Sequence, residues 1–145
     1  MDKLDRAILA ELARDGRLPN VELSRRVGLT TGPCLRRVQR LEASGVIRGY
    51  RAVLDPAAIG RSFEVLLDLD LRTQDADTVE HFESTMAGRD EVIELRRLFG
   101  RPDYFARIAV ADLEAYEAFL SRHVMTIPGV ERVNSRFGMK TIKLP

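Results

Sequence analysis

Along DKLDRAILAELARDGR, residues 2–17, the apolar side chains Leu4, Ile8 and Leu12 recur every four positions, with Ala7 and Leu9 beside them. That is the spacing of one helical face. Asp2 and Asp5 stand at the amino end, where the helix dipole favours anions, and Gly16 marks the stop. A second, shorter helix is predicted from Pro19 or Asn20 through Val21, Leu23 and Val27, ending at Gly28. A third begins at a threonine cap, Thr30 or Thr31, takes Pro33 into its first turn and ends near Ser44, before Gly45. Short helices joined by a tight glycine-containing turn, followed by a longer one, form the helix-turn-helix pattern. At roughly 100° per residue, Cys34, Leu35, Val38, Leu41 and Glu42 gather on one side of the third helix. Arg36 and Arg40 then point the opposite way, with Arg37 on the flank. The run VIRGYRAVL, 46–54, is β-prone and predicts a wing carrying Arg48 and Arg51.

Downstream the periodicity changes from four to two. DPAAIGR, 55–61, reads as a short hinge. In SFEVLLDLDLR, Val65, Leu67, Leu69 and Leu71 alternate onto one face of a strand. A helix is predicted to open at Asp77, with Glu80 completing a capping box, and to align Val79, Phe82 and Met86. Strands VIELRRLF and YFARIAV follow, separated by the GRPD turn. A second helix starting at Asp112 lines up Leu113, Tyr116, Leu120 and Val124, and a last strand alternates Val133, Ser135, Phe137 and Met139. The order β-α-β-β-α-β points to a ferredoxin-like domain, both helices on one face of an antiparallel sheet. Leu66, Phe105 and Ala109, among Asp68, Arg107, Arg132 and Arg136, fall on the other face, a mixture that suits a covered surface. The fold class is therefore α+β: a winged helix-turn-helix over 1–51, a strand and linker over 52–61, and a ferredoxin-like domain over 62–145.

Charge divides the chain along the same line. The formal net charge is +1, yet residues 1–51 hold 11 Lys and Arg against 6 Asp and Glu, leaving 12 against 16 for the remainder. A basic module of net +5 beside a remainder of net −4 fits a polyanion-binding unit attached to one that does not touch the polyanion. Outward guanidinium groups on a helix suit the major groove, where arginine bonds bidentately to guanine or clamps phosphate. The residues expected at double-stranded DNA are Arg25, Arg26, Thr30, Thr31, Gly32, Arg36, Arg37, Arg40, Arg48 and Arg51. The competing reading is a helix-turn-helix that binds protein, on a small-molecule-binding domain, without DNA.

Other chemistries find little support. With one cysteine and two separated histidines, no internal disulfide and no metal-ligand spacing arises. Cys34 reads as a small core residue rather than a reactive thiol. No nucleophile-base pair, paired carboxylates or phosphate loop stands out, so no catalytic residue, metal or cofactor is expected. No apolar run approaches the roughly 20 residues of a membrane span, and MDKLDRAILAEL lacks a basic-then-apolar leader, so a cytoplasmic protein is expected.

The run LDRAILAELARDGR to VELSRRVGLTTGPCLRRVQRLEASGVIRGYRAVLDPAAIG resembles the amino-terminal domain of the Lrp/AsnC, or feast/famine, transcription regulators. GRPDY at 100–104 and IPGV at 127–130 stand where that family's G-x-x-D-Y and L-P-G-V elements fall. The resemblance implies homodimers built by sheet pairing, assembling further into octamers or discs. It also implies an amino-acid effector at subunit interfaces, near Leu98, Phe99, Gly100, Asp103 and Tyr104, with Ser135 a weaker candidate. Turn amides would hold the α-carboxylate and Asp103 the α-ammonium; a plain hairpin turn accounts for the same residues. Where many relatives carry a threonine before the glycine, this chain has Leu98 and Phe99. That departure implies an aliphatic or aromatic effector, or loss of effector binding.

Overall fold

The computed structural model describes residues 1–143 and divides into two compact units, Met1–Val53 and Leu54–Pro145. The first holds three helices. α1, Lys3–Arg14, begins at a reciprocal cap in which the Asp5 N–H donates to the Asp2 carboxylate at 2.9 Å and the Asp2 N–H donates to Asp5 at 3.0 Å. Two otherwise orphaned amides are thereby satisfied. α2, Asn20–Arg26, leads through a turn into α3, Thr31–Ala43. Gly28 makes that turn at φ +71°, a conformation that costs a residue with a Cβ, while the Leu29 N–H reaches back to the Ser24 carbonyl at 2.8 Å. The Asn20 amide donates to the Thr31 carbonyl at 2.8 Å and ties the start of α2 to that of α3.

Ile8, Leu23, Cys34 and Leu41 are the buried centre of this unit, with Leu9, Leu12, Leu18, Val27, Leu29, Val38 and Ile47 packed around them. Burying each large member contributes about 1.5–3 kcal/mol. Cys34 is inside, as its spacing predicted, and desolvation raises its thiol pKa. Leu35 is not: it is 45 % exposed. The inward seam of α3 runs 34, 38, 41, and position 35 falls just outside that stripe.

The β-prone run 46–54 forms no strand, and neither does 52–61, where residues 56–60 are turns. A strand needs a partner for its amides, and the unit offers none among the described residues. The run instead folds back: the Tyr50 hydroxyl donates to Glu42 at 2.8 Å, and its ring lies beside Gly16.

The second unit has the β-α-β-β-α-β order: β1 Phe63–Leu71, α4 Ala76–Ala87, β2 Val92–Arg97, β3 Tyr104–Val110, α5 Leu113–Phe119 and β4 Val130–Phe137. The sheet order is β2-β3-β1-β4, with every pair antiparallel. Val65, Leu67, Leu69 and Leu71 of β1 face the helices and meet Val79, Phe82 and Met86 of α4 with Tyr116 and Phe119 of α5. α4 is capped by Asp75, whose carboxylate accepts from the Thr78 N–H at 2.9 Å. The expected cap, Asp77, lies two residues further on, inside the first turn of the helix. Hydrogen bonds from Thr73 and Thr78 hold the Asp75 carboxyl at a pKa of about 2. α5 ends in a π-type turn, Leu120–Val124, closed by the Met125 N–H on the Leu120 carbonyl at 2.9 Å. Leu113, expected in the apolar row, is 59 % exposed; Phe119 and Ile127 are buried. Met139 lies beyond β4 and is fully exposed.

The face away from the helices is threaded with ion pairs. Arg107 of β3 meets Glu64 at 3.0 Å and Glu94 at 3.2 Å, and Arg136 meets Asp68 at 2.7 Å. Leu66 and Phe105 lie half-buried between them and Ala109 is buried.

Candidate functional site

Two groups of candidate residues fall in the two units. In the helical unit, Arg36 is exposed and, among the described residues, meets no carboxylate; its guanidinium leans back over Gly32, with Nη1 3.7 Å from where a Cβ would stand. Thr30, Thr31 and Gly32 are exposed at the amino end of α3, although Thr30 caps it without a side-chain hydrogen bond. Arg25 is 76 % exposed and only loosely near Glu22, at 3.9 Å. Arg48 and Arg51 are exposed on the folded-back run.

The other three arginines are engaged within their own unit. Arg37 Nη1 sits 2.7 Å from Asp2 Oδ2 and 2.7 Å from Asp5 Oδ1. Arg40 Nη2 bonds both Asp5 oxygens, at 2.9 and 3.0 Å. Arg26 bonds Glu22 at 2.9 Å and Glu11 at 3.1 Å. The sequence pattern had Arg40 paired with Arg36 in pointing away freely; it is outward but tethered, its side chain 62 % exposed. The cause is α1, whose acidic amino end lies along the 37–40 flank of α3. Asp5 itself is buried, and the Asp2 N–H, then Arg37 and Arg40, bring its pKa from 3.8 down to about 2. Sequence reasoning placed Asp2 and Asp5 as dipole partners only. Their link to α3 spans more than 30 positions and has no local signal.

In the second unit the turn between β2 and β3 brings together Leu98, Phe99, Gly100 and Asp103. The Leu98 N–H donates to the Asp103 carbonyl at 2.8 Å, and Gly100 has φ +104° with nothing near a notional Cβ. Phe99 is fully exposed. The Asp103 carboxylate accepts from the Leu71 N–H at 2.8 Å, and its own N–H donates to buried Asp70 at 3.2 Å. One carboxylate oxygen is thus committed to fixing the turn, while Oδ1 has no partner among the described residues. Tyr104 does not line the turn surface: it is buried, its ring tilted against Phe82 with centroids 4.7 Å apart, and its hydroxyl donates to Glu83 at 2.7 Å. Burial, then Glu83, pushes its pKa up to about 12. The strand register explains this, since Tyr104 pairs with Leu69 on the helix-covered face. Ser135 lies on the same face opposite Leu67, hydrogen-bonded to the Tyr116 hydroxyl at 2.5 Å. Four positions of β1, about 13 Å of strand, separate it from the Leu71–Asp103 bond, so one subunit does not bring it to the turn.

Comparison with known proteins agrees with this division. Residues 1–48 match a model of winged helix-turn-helix DNA-binding domains, and residues 64–145 match the Lrp/AsnC ligand binding domain. The leucine-responsive regulatory protein of Klebsiella pneumoniae is 39 % identical over 143 residues, covering 99 % of this chain and 87 % of that one. The protein of the same name from Escherichia coli K12 is 38 % identical with the same coverage. Among solved structures, a transcriptional regulator of Neisseria meningitidis in complex with L-methionine superposes with a TM-score of 0.95 at 35 % identity, covering 99 % of this chain and 93 % of that one. An AsnC family regulator from Agrobacterium tumefaciens does so with a TM-score of 0.93 at 37 % identity, covering 99 % and 94 %. A helix-turn-helix with an arginine-bearing second helix, followed by the matching ligand-binding domain along one continuous chain, makes this protein a DNA-binding transcriptional regulator belonging to the Lrp/AsnC family.

Proposed function

We propose that α3 enters the DNA major groove with Arg36 as its free guanidinium. In this reading the exposed amino end of α3 at Thr30 to Gly32 lies toward a phosphate, Arg25 meets the backbone, and Arg48 and Arg51 flank the duplex. The observation that carries it is Arg36 on the exposed face of α3, the one arginine of that helix with no carboxylate partner among the described residues. Two subunits pair through the open sheet face and present two such helices, so that half-sites lie about one DNA turn, roughly 10 bp, apart. Further assembly of dimers into an octamer follows the family pattern.

The effector is an amino acid or a close relative, taken at the 98–103 turn next to the partner subunit. The L-methionine complex of the Neisseria regulator supports that class. Exposed amides around Gly100 offer a seat for the α-carboxylate, and the spare oxygen of Asp103 faces the α-ammonium. Exposed Leu98 and Phe99 favour an apolar side chain. Binding one assembly state better than another shifts the population toward it, and with it the number of α3 helices that engage DNA together.

Titrating the full-length chain into random-sequence duplex at several KCl concentrations tests the DNA reading. Affinity should fall steeply with salt through counterion release; salt-insensitive or absent binding would instead favour a protein partner for the helical unit. Calorimetry with the twenty amino acids, alongside light scattering for mass, tests the effector and the assembly.

A further inference from the structure

Asp5 is the one buried carboxylate of the helical unit, and three of its contacts reach across to α3. The two arginines it holds are treated differently. Arg37 is drawn in: its Nη1 is shared between Asp2 and Asp5, and its side chain is only 24 % exposed. Arg40 is held by Nη2 alone and keeps its Nε and Nη1 edge uncommitted among the described residues, on a side chain 62 % exposed. Arg36, one position from Arg37, has no such anchor. Three arginines in five positions therefore present one free, one steered and one withdrawn.

A planar carboxylate engages a guanidinium through the same N–H···O⁻ geometry as a phosphate. Asp2 and Asp5 thus take up Arg37 Nη1 and Arg40 Nη2, donors that a DNA phosphate would otherwise accept from. Every duplex offers phosphate, whereas only a cognate one offers the right base edges. A contact that removes one arginine from the phosphate competition and fixes another in orientation lowers nonspecific binding more than specific binding.

Resting on the proposal that α3 meets DNA, we infer that Asp5 is a positioning residue for DNA recognition, which withdraws Arg37 from the duplex and orients Arg40, and so sets the ratio of specific to nonspecific affinity. Asp2 assists it from the exposed side.

The test uses full-length protein and two probes: a duplex selected by the unmodified chain from a random pool, and the same duplex with its sequence shuffled. Anisotropy titrations across a KCl series are run for the unmodified chain, D5N and D2N, with circular-dichroism melts. D5N is expected to bind the shuffled duplex more tightly, with a log–log salt slope steeper by about 0.9 per subunit as Arg37 gains a phosphate. Its preference for the selected duplex should fall by about tenfold as Arg40 loses its orientation. D2N, whose asparagine still caps α1, should move the same way by less. A purely structural Asp5 would weaken both duplexes in proportion with no steeper slope, and that result overturns the inference, as does no change on either probe. If D5N does not fold, D2N decides: tighter binding to shuffled duplex supports the role and unchanged binding removes it. Failure of the unmodified chain to bind any duplex would overturn the DNA reading itself, separately from Asp5.

Discussion

Replacing Arg36 by alanine removes the one α3 guanidinium that meets no carboxylate of its own chain among the described residues. No acid is orphaned by the change, and alanine is the strongest helix former, so α3 should persist. What is lost is contact with DNA alone. A bidentate arginine–base contact carries about 1–3 kcal/mol, and a two-fold assembly loses it twice, about 2–6 kcal/mol. At 1.36 kcal/mol per decade the affinity for a selected duplex should drop by about thirtyfold at the low end and about four decades at the high end. The form of the loss identifies the contact. A base-edge role reduces selected-duplex binding and spares shuffled duplex. A phosphate role reduces both and flattens the salt slope by about 0.9 per subunit. Anisotropy titration at three salt concentrations, with far-ultraviolet dichroism and light scattering as controls, reads these together. Affinities within twofold of the unmodified chain on both duplexes would refute the assignment of α3 as the reading helix.

Acid should act on the helical unit through Asp5. Its folded pKa of about 2 lies below the usual 3.8, so the unfolded chain binds more protons between those values. The contribution is complete above about pH 3.8 and drains as pH falls toward 2; acid titration of D5N should lack that limb, while the parallel limb from Asp75 in the second unit persists. Phe82→Ala empties a fully buried site packed against Tyr104, and urea unfolding of the second unit should show a loss of about 3–5 kcal/mol. Gly129→Ala sets a Cβ 2.4 Å from Thr78 Cγ2 at φ +90°, so its melting point should fall, and adding Thr78→Ser should recover the steric share but not the backbone share. Asp103→Asn keeps an acceptor for the Leu71 N–H and removes the charge, so calorimetry should lose amino-acid binding while the melting point holds; retained binding would take Asp103 out of the effector site.

Local signals carried most of the architecture. The four-residue recurrence of Leu4, Ile8 and Leu12 and the alternation of Val65, Leu67, Leu69 and Leu71 depend on neighbours in the chain, and both faces are buried or half-buried as spaced. Features decided by distant partners were less legible. Leu35 and Val38 look alike on a helical wheel, yet only the second meets α1 and α2. The 46–54 run has strand composition but no strand to join. Tyr104 belongs to a surface motif by its place in the sequence and to the core by its register with Leu69. Arginine spacing on α3 shows which residues point away, but not that Asp2 and Asp5 would claim two of them, because that depends on where α1 comes to lie.

The two clusters of buried residues share no member: one is complete within Ile8–Ile47 and the other within Phe63–Val133. The boundary between the two units falls at Val53, and each buried cluster is drawn from one side of it. Gene fusion at that boundary would exchange one set of interior side chains while keeping every member of the other.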